Sequence, residues 1–111
     1  MTVHSTLGPG LLESAYQTCL ILELRHAGLQ VDVNVAVPVL YRGITINCGY
    51  RLDLLIDGLV VIELRTVTAI LPVHEAQLVT YLKLTGKPVG LLFNFNVALL
   101  KDGGIRRKIN T

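Results

Sequence analysis

The sequence contains no tryptophan, only 5% aromatic residues, two cysteines and 16% charged residues. With so few aromatic rings, a core must be assembled from Leu, Val and Ile. Cys19 and Cys48 lie far apart, without a CxxC spacing, and His4, His26 and His74 do not cluster in sequence. A structural zinc site needs about four such ligands together, so none is expected, and both cysteines read as reduced, partly buried thiols. Every apolar run is broken by a charge, Gly or Pro well before the ~20 residues of a membrane span. The longest, Leu52 to Leu64, carries Asp53, Asp57 and Glu63. Met1 to Gly10 lacks a basic region followed by an apolar stretch, so a secretory leader is not expected and a cytoplasmic location is.

What is abundant is aliphatic surface. Of 111 residues, 51% are hydrophobic, too many for a disordered chain, and the length fits one domain over residues 1–111. Such content implies a thoroughly covered core, or an apolar face buried against a partner. A homo-oligomer is compatible with it, with a dimer as the default. The net charge of +2 is too weak to argue nucleic-acid binding by itself. The run Arg106-Arg107-Lys108 forms a local positive end, which suits either phosphate contact or a solvated terminal strand.

Hydrophobic periodicity predicts the elements. Val3 to Leu7 suits a short helical turn before Gly8-Pro9-Gly10. Leu12, Ala15, Tyr16, Cys19, Leu20 and Leu24 recur at helical steps, so a helix is expected over 11–27, stopped by Gly28 and packed on two sides. Val31, Val33, Val35 and Val37 alternate as a half-buried strand, ended by Pro38. Tyr41-Arg42-Gly43 reads as a turn, and strands are expected over 44–48, 50–56 and 59–66, the last two joined at Asp57-Gly58. Pro72 opens a second helix that Gly86 closes. Strands over 89–94 and 105–109 follow, with a turn at Asp102-Gly103-Gly104. The order predicts an α/β (α+β) fold, a mixed central sheet of three to five strands flanked by two main helices.

Asp53 and Glu63 stand inside apolar strands, where a carboxylate either faces solvent or is buried with a partner. Their relation depends on the turn. A two-residue loop would put them on opposite faces. A three-residue loop, Ile56-Asp57-Gly58 with Gly58 left-handed, pairs Leu55 with Leu59 and puts both carboxylates on one face. The three-residue loop is expected, with Asp53 opposite Val61 and Arg51 opposite Glu63. Leu52, Leu54, Val60 and Ile62 would then form a wholly apolar opposite face. Two carboxylates held close repel unless a cation lies between them, and Mg²⁺ or Mn²⁺ is the oxygen-seeking choice.

Gly10-Leu-Leu-Glu13-Ser-Ala-Tyr16 matches the GxxExxY signature, and the chain resembles that family, a compact branch of the PD-(D/E)XK nuclease superfamily. The similarity runs from His4 to Asn110. Asp53 followed by Glu63-Leu64-Arg65 falls on the D…(D/E)-x-K arrangement, and Gln77-Leu-Val-Thr-Tyr81 on a Q-x-x-x-Y element of the second helix. The resemblance implies a restriction-endonuclease-like core with the catalytic set Glu13, Asp53, Glu63, Arg65, Gln77 and Tyr81. Asp53, Glu63 and the Leu64 carbonyl would ligate Mg²⁺ or Mn²⁺, with Glu13 reaching the ion directly or through water. Gln77 would orient the site, and Tyr81 would support it or contact a phosphate. The implied partner is DNA or RNA, and the implied chemistry is metal-assisted phosphodiester hydrolysis.

Each position also has a plainer role. Glu13 suits a first helical turn by its charge alone. Tyr16 and Tyr81 have the spacing of core residues, Gln77 of a surface residue, and His74 and Glu75 of cap or first-turn residues. Taken together, the positions favour a site. The family pattern also expects lysine where this chain has Arg65. Arginine keeps the charge but does not readily give up a proton, and its fork suits bidentate phosphate contact. Two functions follow: a nuclease with a degenerate lysine position, or a non-catalytic relative serving nucleic-acid binding or protein interaction.

Overall fold

A computed structural model describes residues 13–47, 49–67, 69–95 and 104–110, with Glu13 described by its backbone alone. The expected turn at Val3 to Leu7, the Leu11-Leu12 start of the first helix, Cys48, and the Asp102-Gly103 turn lie outside these residues. Among the described residues two helices, α1 (Glu13–His26) and α2 (Pro72–Thr85), accompany seven strands. These are β1 (Val31–Ala36), β2 (Val39–Tyr41), β3 (Ile44–Ile46), β4 (Arg51–Ile56), β5 (Val60–Arg65), β6 (Val89–Asn94) and β7 (Ile105–Ile109). The main sheet has the order β1-β4-β5-β6-β7 and is antiparallel except for the β5–β6 pair, whose parallel run is made possible by the α2 crossover. This is the expected α+β fold, with a mixed sheet between two helices.

The helices cover opposite faces. Tyr16 and Leu20 of α1 pack with Leu54, Ile56, Ile62, Leu64, Phe93 and Phe95. Tyr16 is fully buried and stacks on Phe95, with ring centroids 4.4 Å apart. Leu78, Tyr81 and Leu82 of α2 pack with Leu55, Val61 and Leu92 on the other face. Among the described residues the two-sided packing expected of α1 is not seen at Leu22, which is 63% exposed, while Ile21 packs against the same core as Tyr16 and Leu20.

Local signals explain the boundaries. His74 Nδ1 accepts the Leu71 N–H at 2.9 Å, so His74 caps the start of α2. Gly86, left-handed at φ 69°, ends the helix by donating its N–H to the Leu82 carbonyl at 2.9 Å. The expected turn after Tyr41 is a two-residue hairpin loop. Arg42 and Gly43 both have positive φ, and Tyr41 pairs with Ile44. The strand before it, β2, has no signal in the sequence beyond three residues behind Pro38. Together β2 and β3 form a separate two-stranded sheet on which Leu40, Tyr41 and Ile44 are exposed. The β1 strand is an edge, which explains why Val33 is 37% exposed rather than half-buried as its alternation suggests. Among the described residues no helix is long and apolar enough to cross a membrane.

Candidate metal centre

The site lies where the β4–β5 hairpin opens. Asp57 and Gly58 both have positive φ, and the Leu59 N–H donates to the Ile56 carbonyl at 2.9 Å. Asp57 tolerates this backbone because it is tied to Gln30 from both ends. Its N–H donates to the Gln30 carbonyl at 2.8 Å, and its Oδ1 accepts the Gln30 N–H at 2.8 Å. The ladder starts with Ile56 opposite Val60, leaving a three-residue loop of Asp57, Gly58 and Leu59. The loop has the expected length but begins one residue later than expected. The register therefore moves by two, and Asp53 faces Glu63 instead of Val61. A shift of two preserves the side-chain alternation, so the inference that the two carboxylates share a face survives the correction.

The β4–β5 ladder ends at Leu54 and Ile62, one pair short of the carboxylates. Beyond that point the side chains take over the backbone groups that the ladder releases. The Asp53 N–H donates to Glu63 Oε1 at 3.2 Å, and the Leu64 N–H donates to Asp53 Oδ2 at 2.8 Å. On the other side, Asn34 lies between the Val33–Leu54 and Val35–Leu52 pairs and is left-handed at φ 53°. Asn is among the few side chains that tolerate this region. Past this point the alternation also fails for Leu52, which packs with Val37 in the α2-side core rather than with Leu54. The wholly apolar face expected for Leu52, Leu54, Val60 and Ile62 is thus divided between two cores.

Arg65 completes the group. Its Nη1 donates to the Leu64 carbonyl at 2.7 Å and lies 3.5 Å from Asp53 Oδ2 and 3.6 Å from Glu63 Oε2. Its Nη2 donates to Gln77 Oε1 at 3.2 Å, and Gln77 Nε2 donates to the Tyr81 hydroxyl at 3.1 Å. A chain of contacts therefore runs from α2 to the carboxylates through the arginine. Gln77, exposed and one turn before Tyr81, is spaced to reach Arg65 and Tyr81 at once. Glu63 is only 3% exposed, and burial first, then the neighbouring Asp53 charge, push its carboxyl up to about 8. Burial, followed by the Glu63 charge, also raises the Tyr81 hydroxyl above its ordinary value.

Asp53, Glu63, Leu64, Arg65, Gln77 and Tyr81 are thus brought together. Glu13 begins the described part of α1, and its side chain lies outside the described residues. Among the described residues there is no cluster of three or more His, Cys, Asp or Glu side chains suited to a metal. The converging donors are two carboxylates and one carbonyl, all hard oxygens of the kind Mg²⁺ and Mn²⁺ prefer, so the residues present fit such an ion chemically. His74 takes the capping role, and Glu75 pairs with Lys108 at 3.1 Å.

Sequence reasoning missed Asn94, which sits opposite Arg65 on β6 and is 1% exposed. Its Oδ1 accepts the Val67 N–H at 3.1 Å and its Nδ2 donates to the Val67 carbonyl at 2.9 Å, pinning the chain just after Arg65. The only sequence signal was an Asn closing an otherwise apolar strand.

No curated protein and no solved structure matches the chain. A family model does, over residues 1–108, described as the PD-(D/E)XK nuclease superfamily. The span covers the hairpin, both helices and the crossover strand that build the site, and by that match the chain belongs to the PD-(D/E)XK nuclease superfamily.

Proposed function

We propose that this chain is a metal-dependent phosphodiester hydrolase of the GxxExxY branch, acting on DNA or RNA. The observation that carries the reading is the convergence of oxygens from Asp53, Glu63 and Leu64 on one position, held by Arg65 Nη1 at 2.7 to 3.6 Å from them, in a chain of nuclease lineage. Asp53, Glu63 and the Leu64 carbonyl would hold Mg²⁺ or Mn²⁺, and the family resemblance adds Glu13 as a further ligand, direct or through water. A bound ion supplies activation of a water and neutralisation of charge on the phosphate.

The remaining residues bind and orient. Arg65 presents a planar fork to a phosphodiester oxygen, and it does not act as a general base because it stays protonated at any working pH. Gln77 positions Arg65, and Tyr81 positions Gln77. The cationic Arg106-Arg107-Lys108 run on β7 offers further phosphate contacts. Without a lysine beside Glu63, turnover is slow.

Arg65 also supports a second reading, a non-catalytic nucleic-acid-binding or protein-interaction module that works as a cytoplasmic homodimer. Its guanidinium already balances the carboxylates, and the exposed Leu40, Tyr41 and Ile44 of the β2–β3 hairpin offer an apolar contact face. Incubation with single- and double-stranded DNA and RNA plus Mn²⁺ separates the readings. The hydrolase cleaves weakly, loses cleavage in Glu63→Ala and gains it in Arg65→Lys. If neither the unsubstituted protein nor Arg65→Lys cleaves anything, the module reading replaces it.

A further inference from the structure

We infer that Arg65 is a built-in competitor for the divalent cation, a tethered positive charge that must leave its resting position before metal enters. The inference rests on the metal-site reading above and concerns what controls occupancy of that site. Arg65 Nη1 stands 2.7 Å from the Leu64 carbonyl, 3.5 Å from Asp53 Oδ2 and 3.6 Å from Glu63 Oε2. These are the three oxygens assigned to the ion. Magnesium holds its oxygens at roughly 2.0–2.1 Å. Two cations do not share one such space, by size or by charge.

The geometry also tells which partner moves. Both carboxylates are anchored, Asp53 Oδ2 by the Leu64 N–H at 2.8 Å and Glu63 Oε1 by the Asp53 N–H at 3.2 Å. Glu63 is buried, and of the two side chains that are each 22% exposed, Asp53 is short and held by the Leu64 N–H whereas Arg65 is long and flexible. Its other nitrogen is held by Gln77, an exposed residue on the rim of α2. Arg65 is therefore the mobile member and Gln77 its latch, a positioning residue.

Competition makes metal affinity the direct readout. Mn²⁺ is titrated calorimetrically into the full chain and into Arg65→Met, Gln77→Leu and Asp53→Asn, with thermal unfolding followed with and without the ion. Arg65→Met removes the competing charge, so its Mn²⁺ affinity rises at least tenfold. Its metal-free form melts lower than the unsubstituted protein, because the Asp53–Glu63 pair loses its counter-charge and the Leu64 carbonyl its donor, and Mn²⁺ restores the loss. Gln77→Leu, at an exposed position that folding tolerates, tightens Mn²⁺ binding by a smaller factor. Asp53→Asn abolishes it. Equal or weaker Mn²⁺ binding in both Arg65→Met and Gln77→Leu overturns the competition while leaving an Asp53-dependent metal site standing. Absence of Asp53-dependent binding in every protein overturns both.

Discussion

Asp53 and Glu63 face each other across the open end of the β4–β5 hairpin and bind the backbone that the ended ladder leaves free. Glu63 accepts the Asp53 N–H, and Asp53 accepts the N–H of Leu64, the residue after Glu63. The carboxylates are thus structural acceptors as well as candidate ligands, and the two roles can be separated by substitution.

Asp53→Asn keeps an acceptor oxygen for the Leu64 N–H, whereas Asp53→Ala leaves that fully buried residue with an unmade hydrogen bond. Both remove the charge, so their difference isolates the bond. Urea unfolding without metal is expected to find Asp53→Ala less stable than Asp53→Asn by about 1–2 kcal/mol. Equal stabilities would show that the bond contributes nothing.

Glu63 gives stability a pH signature. Its carboxyl is raised to about 8, so between the ordinary carboxylate range and that value the folded protein keeps a proton that the unfolded chain has lost. The contribution is therefore complete in acid and declines as pH rises through the folded value. Asp53, Arg65 and Tyr81 face the same group, the Asp53 charge raising its value and the Arg65 charge lowering it. Glu63→Gln imitates the protonated acid at every pH. Its stability relative to the unsubstituted protein, measured in chelator, should grow from about pH 5 to about pH 9. A flat difference would contradict the raised value.

Asn94→Ala removes both hydrogen bonds to the Val67 backbone in a buried position. A loss of about 2–3 kcal/mol is expected in denaturant unfolding, since two backbone groups forfeit their partners. A loss below about half a kcal/mol would mean that water replaces the side chain without cost.

Gly90→Ala tests how closely α2 approaches the sheet. A Cβ at Gly90 would lie 2.7 Å from Leu78 Cδ1 and 3.0 Å from its Cγ, and Leu78 is itself buried at 1% exposure. Overpacking of this kind costs about 1–3 kcal/mol. The double variant Gly90→Ala with Leu78→Ala should recover part of the Gly90→Ala loss relative to Leu78→Ala alone, and strict additivity would rule out the clash.

The elements were largely readable from the chain. The β6 and β7 strands fall on the expected 89–94 and 105–109, and α2 ends at the glycine that stops its pattern. Period and punctuation are local properties, so residues such as Pro72, Gly86 and Asp57 announce them without knowledge of the rest. The same holds for the order of Glu63, Arg65, Gln77 and Tyr81, which spacing along the chain displays before any fold is known. Strand β2 escaped because three residues carry too little periodicity.

Order along the chain allowed Asp53 and Glu63 to share a face only if the loop at Asp57-Gly58 held an odd number of residues, and the pairing of Ile56 with Val60 makes it three. It did not say which residue stands opposite which, since Leu59 joins the loop only when Asp57 is tied to Gln30, a contact across 27 residues. Nor could it foresee that Arg65 would turn back onto the oxygens beside it. That position depends on Gln77 arriving from a helix twelve residues on and on Asn94 pinning the backbone after Arg65. Local propensity sets the elements, while the position of a long, charged side chain is decided by the partners that packing brings within reach.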